Sequence, residues 1–290
     1  MTEANRWLLP DGVDEILPPQ ASQLETLRRE LLDLYSTWGY ELVMTPLAEF
    51  LDSLLILPSN ELQLRTFKII DQLTGRGMGV RADITSQVAR IDSHVLQRDP
   101  PTRLCYADSV LHTRPESLLG SRSPLKIGAE LYGHHGIESD IEVISLMLHT
   151  LQAAGIEKPQ LALGHVGIYR TLIQEAGLSA DTEQNLFTAL QRKSPGEIEQ
   201  ALQDSSADKK LIDNIQCLST LHGDESVLDR ASKEINSKAP EVVESIEQLR
   251  QVVSAIKARF PEQSLYFDLS ELRGYEYHTG VVFAAYVPSY

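Results

Sequence analysis

The stretch Leu272-Arg-Gly-Tyr-Glu-Tyr-His-Thr-Gly-Val-Val-Phe283 sets an arginine, a glutamate, two tyrosines and a histidine into six positions, then turns into an apolar run. A guanidinium fork suits a carboxylate or phosphate, and an imidazole can donate, accept or carry charge near neutral pH. Two further polar clusters share these chemical types. One is Val80-Arg-Ala-Asp-Ile-Thr85, at the threshold of an expected helix; the other is Lys126 and Glu130, on an expected strand. Taken singly, each has a structural explanation. Asp83 or Thr85 fits a helix N-cap, Glu130 with Arg273 fits a buried ion pair, and His278 fits a histidine satisfied within the fold. Gly133-His-His-Gly136 followed by Asp140 and Glu142 raises a metal reading. Adjacent strand histidines point to opposite faces, and the two acids suit a helix start, so no metal site is expected. Arg114 and Arg122 read either as phosphate contacts or as solvated loop arginines. No Ser–His–Asp or phosphate-loop signature is visible.

The elements that must position these residues follow from periodicity. Leu24, Leu27, Leu31 and Leu34 make one apolar stripe of a helix, which Gly39 stops. Tyr40–Met44 reads as a strand. Residues 60–79 read as a hairpin, with Arg65–Asp71 extended and Gly75–Gly79 as the turn. A helix is expected from about Ile84 to Leu96. Strands are expected over Thr102–Leu111 and Lys126–Tyr132, joined by the loop Arg114–Pro124. Ser139-Asp-Ile-Glu142 and Ser194-Pro-Gly-Glu197 match capping boxes. Leu161–His165, Ser264–Leu269 and Val281–Val287 read as strands. Between them, residues 168–260 turn rich in Glu, Gln, Lys, Ala, Leu and Ser, the composition of a helical insert within a sheet domain made of 1–167 and 261–290.

The chain has 290 residues, with 42% hydrophobic and 23% charged side chains, which permits a substantial core. No apolar run reaches the roughly 20 residues needed to span a bilayer. The opening MTEANRWLLPDG lacks the basic and apolar regions of a secretory signal. Cys105 and Cys217 stand apart with no metal-type spacing, as suits a reducing compartment, and a cytoplasmic protein is expected. A net charge of −15, with short basic runs, disfavours a broad nucleic-acid surface.

Four segments, in order, carry a family resemblance. Met44-Thr-Pro-Leu-Ala-Glu-Phe50, with the helix and strand before it, resembles the first motif of class II aminoacyl-tRNA synthetases, a dimer-interface element. Val80–Thr85 resembles the Arg-Pro-Glu-x-Thr threshold of histidyl-tRNA synthetase, and Tyr106–Gly133 its second motif with the following strand. Leu272–Phe283 resembles its histidine-specific Val-Arg-Gly-Leu-Asp-Tyr-Tyr-Thr-Gly. The synthetase's second motif, however, carries Phe-Arg-x-Glu-Arg-Pro, whose first arginine grips the ATP phosphate and the amino-acid carboxylate. Here the segment reads Val110-Leu-His-Thr-Arg-Pro115, so that arginine's position falls on Leu111 or His112 and the glutamate is absent. Neither residue replaces a permanently charged fork. Ser121-Arg-Ser-Pro-Leu-Lys-Ile-Gly-Ala-Glu-Leu-Tyr-Gly133 is similar to the regulatory subunits of ATP phosphoribosyltransferase, paralogues of the synthetase in histidine biosynthesis.

The resemblance implies an α/β (α+β) fold: a class II synthetase-like antiparallel sheet flanked by helices, with a helical insert. It implies a non-catalytic regulatory subunit that activates a short-form phosphoribosyltransferase catalytic subunit and mediates feedback inhibition by histidine. The implied assembly is a homodimer within a hetero-oligomer, with no cofactor and no tRNA expected. The matched positions imply a histidine pocket. Asp83 and Thr85 would accept from the α-ammonium, Arg273 would pair the carboxylate, and Glu130 would accept a ring N–H. Tyr277 and His278 would close the imidazole side. Lys126 stands where the synthetase has glutamine and would repel an α-ammonium, unless it turns toward another carboxylate. The competing reading is a histidyl-tRNA synthetase or related histidine-activating ligase.

Overall fold

The leucine stripe folds as α1 (Gln20–Thr37), with Leu31 and Tyr35 buried and Leu24, Leu27 and Leu34 half-buried. Gly39, at φ +81°, ends it, a left-handed conformation that glycine adopts without strain. The chain then pairs as β1 (Glu41–Leu42), shorter than the expected strand. The computed structural model describes residues 7–56, 60–115, 117, 120–203, 208–237, 239–272, 274 and 278–287. They divide into two units, Met1–His135 and Gly136–Tyr290.

The first unit continues with β2 (Ala48–Phe50), α2 (Leu51–Leu54), α3 (Asn60–Arg65), β3 (Phe67–Ile70) and β4 (Gly77–Val80). Next come α4 (Thr85–Arg90), extended by a π-helical turn over Ile91–Leu96, then β5 (Thr102–Ser109) and β6 (Leu125–Tyr132). β2, β4 and β3 form one antiparallel sheet. The turn of its hairpin is shorter than Gly75–Gly79, because Gly77 and Gly79 lie inside β4. A Cβ at Gly79 would stand 2.8 Å from side-chain carbons of both Leu54 and Thr66. That glycine serves close packing, not turning. The other sheet has order β1-β5-β6, with β1 parallel to β5 and β5 antiparallel to β6 over eight paired residues, Thr102↔Tyr132 to Ser109↔Leu125. Ile84, Val88, Leu104, Tyr106 and Val110 are buried together against it.

Arg81 ties this unit together. Its side chain is 3% exposed, and its guanidinium donates to the Thr45 carbonyl and hydroxyl and to the Ser109 carbonyl at 2.8–2.9 Å. It also pairs with Asp108 at 2.7 Å. A buried charge is tolerated only when so fully partnered.

The second unit is built from α5 (Ile137–Ala153), β7 (Gln160–His165), α6 (Val166–Ala176), α7 (Ala180–Gln191), α8 (Pro195–Gln203) and α9 (Lys209–Leu218). It ends with β8 (His222–Gly223), α10 (Ser226–Glu234), α11 (Pro240–Arg259), β9 (Ser264–Asp268) and β10 (Val281–Tyr286). The sheet order is β10-β7-β9-β8, with β10 antiparallel and β9 parallel to β7. One core joins sheet residues Leu161, Leu163 and Phe267 to helix residues such as Tyr169, Leu186, Ile215 and Leu249, all at most 1% exposed. Ser194 precedes α8 as its capping box requires, and Pro195 opens the helix. Ser139 instead lies inside α5, which Gly136 caps; the helix begins three residues earlier than that box implies. Among the described residues no helix is long and apolar enough to cross a membrane.

Replacing Arg81 with Met strands the Thr45 and Ser109 acceptors and the Asp108 carboxylate. Asp108 is partly exposed, so the expected loss is about 2–4 kcal/mol of unfolding free energy, read by urea denaturation against wild type.

Candidate functional site

β6 carries Lys126, Gly128 and Glu130 at every second position, and alternation puts all three on one face. Register sets them opposite Asp108, Tyr106 and Leu104 of β5. Gly128 is the gap that makes the arrangement possible. A Cβ there would lie 2.4 Å from the ring carbon and hydroxyl oxygen of Tyr106. The buried tyrosine ring therefore passes over Gly128, and its hydroxyl donates to Glu130 Oε1 at 3.4 Å. The Tyr106 hydroxyl also lies 3.5 Å from the Thr85 hydroxyl.

Asp83 stands at the mouth of α4. Its Oδ1 accepts from the backbone N–H groups of Ile84 and Thr85, at 2.5 and 3.2 Å, where the helix terminus favours negative charge. Ile84, not Asp83 or Thr85, occupies the N-cap position of α4, and no side chain caps it. Asp83 Oδ1 also receives the Lys126 ammonium at 2.6 Å, with the two side chains about one-third exposed. Lys126 thus sits on the very carboxylate that the sequence reading assigned to the α-ammonium.

The electrostatics separate the two acids. Burial by itself raises Asp83, but the Lys126 charge and hydrogen bond, with the two backbone amides, outweigh it and hold the carboxyl below its ordinary value. Glu130 is raised, first by burial and further by the neighbouring Asp83 charge, against opposing contacts from Thr85, Lys126 and Tyr106. Burial also raises the Tyr106 and Tyr132 phenols, so both stay protonated donors. The Tyr132 hydroxyl, two residues beyond Glu130 on the same face, is buried with no hydrogen-bond partner among the described residues. The cluster thus holds two carboxylates, one internal cation and unused donor capacity, and most of its internal contacts are long. Such a surface can grip a small polar molecule that brings a cationic group and a ring N–H.

Asp83, Thr85, Lys126 and Glu130 are brought together in the first unit. Arg273 and Tyr277 lie outside the described residues. His278 is exposed in the second unit, on a cleft of about 300 Å³ over one face of β7, β9 and β10. Asp268, Glu271, Tyr266 and Phe283 line the same cleft. Sequence reading missed Tyr106; the signal was a glycine inside a strand, which marks a close approach.

His112, a position for the synthetase's second-motif arginine, is buried. Its Nε2–H donates to the Ala82 carbonyl at 2.9 Å, and its Nδ1 lies 3.4 Å from the Arg65 guanidinium. That places the ring proton on Nε2 and commits the imidazole to the scaffold. Leu111, the other candidate position, donates its N–H to the Arg81 carbonyl at 3.0 Å. Arg122 is committed likewise, donating to the carbonyls of His112 and Asp11 at 3.0 Å. Arg114 is exposed.

Comparison with known proteins places this geometry. The family profile described as histidyl-tRNA synthetase matches residues 12–290. An ATP phosphoribosyltransferase regulatory subunit from Thioalkalivibrio sulfidiphilus is 54% identical over 290 residues, spanning 100% of this chain and 73% of that protein. Among solved structures, an ATP phosphoribosyltransferase regulatory subunit/histidyl-tRNA synthetase from Bacillus halodurans superposes with TM-score 0.85 at 24% identity, over 99% of this chain and 74% of that one. A chain of the ATP phosphoribosyl transferase (HisG:HisZ) complex from Thermotoga maritima gives 0.67 at 18%, over 91% and 87%. These two structural likenesses establish the fold, a class II synthetase-type mixture of sheets and helices.

Two substitutions probe the cluster. Gly128→Ala should push the Tyr106 hydroxyl away from Glu130 and destabilise the protein by about 1–3 kcal/mol, read by denaturant unfolding. For Glu130, a folded-state pKa above the unfolded value means the native state binds more protons, so its contribution falls as pH rises through that interval. Relative to wild type, Glu130→Gln should gain thermal stability as pH rises above the ordinary glutamate range of about 4, read as the difference in Tm across that rise.

Proposed function

Since the chain belongs to the family of ATP phosphoribosyltransferase regulatory subunits, we propose that it binds a short-form catalytic subunit, activates it, and conveys inhibition by histidine, without ligase chemistry of its own. The observation that carries this reading is the contrast between two neighbouring places in one unit. The cluster of Asp83, Thr85, Tyr106 and Glu130 keeps acceptors for a small ligand, and the buried Tyr132 phenol beside it has no hydrogen-bond partner among the described residues. The place for the phosphate-gripping arginine holds a leucine, or a histidine spent on the Ala82 carbonyl. Adenylate formation needs a cation aimed at the transferring phosphoryl group, and an imidazole tied to a backbone carbonyl is not the fixed, permanently charged fork that an arginine would supply.

Histidine suits the acceptor-rich pocket. Glu130 would accept the ring N–H, and Thr85 with Asp83 would face the α-ammonium. The Thermotoga complex pairs two kinds of subunit, and this supports a hetero-oligomer for the present chain. A homodimer within it is supported by apolar side chains on the surface of the first unit. Ile16, Leu17, Leu42, Met44 and Leu47 are all about half exposed or more, Met44 at 78%, in and around the segment that resembles the class II dimer motif. Large apolar groups so placed mark an interaction surface. No role with tRNA is proposed.

Histidine-dependent ATP–pyrophosphate exchange should be undetectable with the purified protein, whereas adding it to a short-form phosphoribosyltransferase should raise that enzyme's rate. Clear exchange would replace this reading with the ligase. Met44→Asp should shift the dimer toward monomer in light scattering while leaving the circular dichroism spectrum unchanged; an unaltered dimer would move the interface elsewhere.

A further inference from the structure

We propose that Lys126 is a built-in competitor for the cation position of the pocket, so that an incoming amino acid must displace its ammonium from Asp83 in order to bind. The inference rests on the histidine-binding reading and adds to it what sets the pocket's affinity and its discrimination between ligands.

The geometry is direct. Asp83 Oδ1 already receives the Lys126 ammonium at 2.6 Å and two backbone N–H groups. The other carboxylate, Glu130, lies two alternations along the same strand face and is engaged by the Tyr106 phenol. An α-ammonium that seeks Asp83 therefore meets an acceptor in use and a like charge beside it. Lys126 is about one-third exposed, and its long stem can swing the ammonium to water without breaking the core. The pair thus resembles a latch more than a strut. While it is closed, a ligand that brings a carboxylate and an imidazole but no ammonium meets no competitor and finds a lysine nearby. When it opens, the ammonium-bearing ligand gains Asp83 and loses only what a half-exposed ion pair contributes, which is small.

The test is calorimetric titration of the full-length protein and its Lys126→Gln and Lys126→Arg variants, with two probes: histidine and imidazolepropionate, which is histidine without its amino group. Lys126→Gln should bind histidine roughly three- to ten-fold more tightly than wild type, the scale of one partly exposed ion pair plus residual like-charge repulsion. Imidazolepropionate should bind that variant equally or more weakly. Lys126→Arg, which keeps the competing charge, should bind histidine as wild type does. Histidine binding that is unchanged or weaker in Lys126→Gln would overturn the competitor role while leaving the pocket in place. Absence of histidine binding in all three proteins, each folded by circular dichroism, would overturn the pocket reading itself.

Discussion

The ion pair between Asp83 and Lys126 is the point on which the site turns, because it brings a helix mouth and a strand face into one electrostatic unit. Asp83 is held below its ordinary pKa by a neighbour that also narrows what the pocket can accept. At Glu130, burial outweighs the opposing pull of Thr85, Lys126 and Tyr106 and drives the shift the other way. Two acids in one cluster are thus shifted in opposite directions, Asp83 by Lys126 and the backbone amides and Glu130 by burial. The β5–β6 ladder makes this possible by repeating every second residue, and Gly128 lets Tyr106 reach across it.

Holding and reacting separate physically in this fold. To hold an amino acid needs acceptors, donors and a counter-charge at modest precision. To activate one with ATP needs a fixed cation at the phosphoryl group. Acceptors and donors of the first kind stand together in the first unit. At the place where the resemblance puts the second stands His112, its Nε2–H satisfied by a backbone carbonyl and its rim closed by Arg122. A protein with that balance can still regulate, provided its ligand prefers one assembly state. A ligand that bound both states equally would transmit nothing.

Much of this was legible in the sequence, and the reasons are particular. The stripe through Leu24 and Leu31 and the strand pair around Tyr106 and Lys126 follow from periodicity, which burial enforces. Gly39 stops α1 because a left-handed residue must. Gly77 and Gly79 misled, since glycine in a strand and glycine in a turn look alike until the neighbouring Leu54 is known. Ser139 satisfied a capping pattern, yet the helix starts from Gly136. Asp83, Thr85, Lys126 and Glu130 were recognisable as a set only through resemblance, because no spacing rule joins residues 43 apart, the separation of Asp83 and Lys126. What Lys126 touches, and that Tyr106 lies between Thr85 and Glu130, required the folded chain.

The central claim is that histidine occupancy of this pocket is coupled to assembly with a catalytic subunit. The most direct measurement is the affinity for histidine of the protein alone and of its complex with a short-form ATP phosphoribosyltransferase, by calorimetry under identical conditions. The account predicts binding in both and a difference of about five-fold or more, the signature of a coupling free energy of at least about 1 kcal/mol. Equal affinities, or no binding in either state, would contradict it.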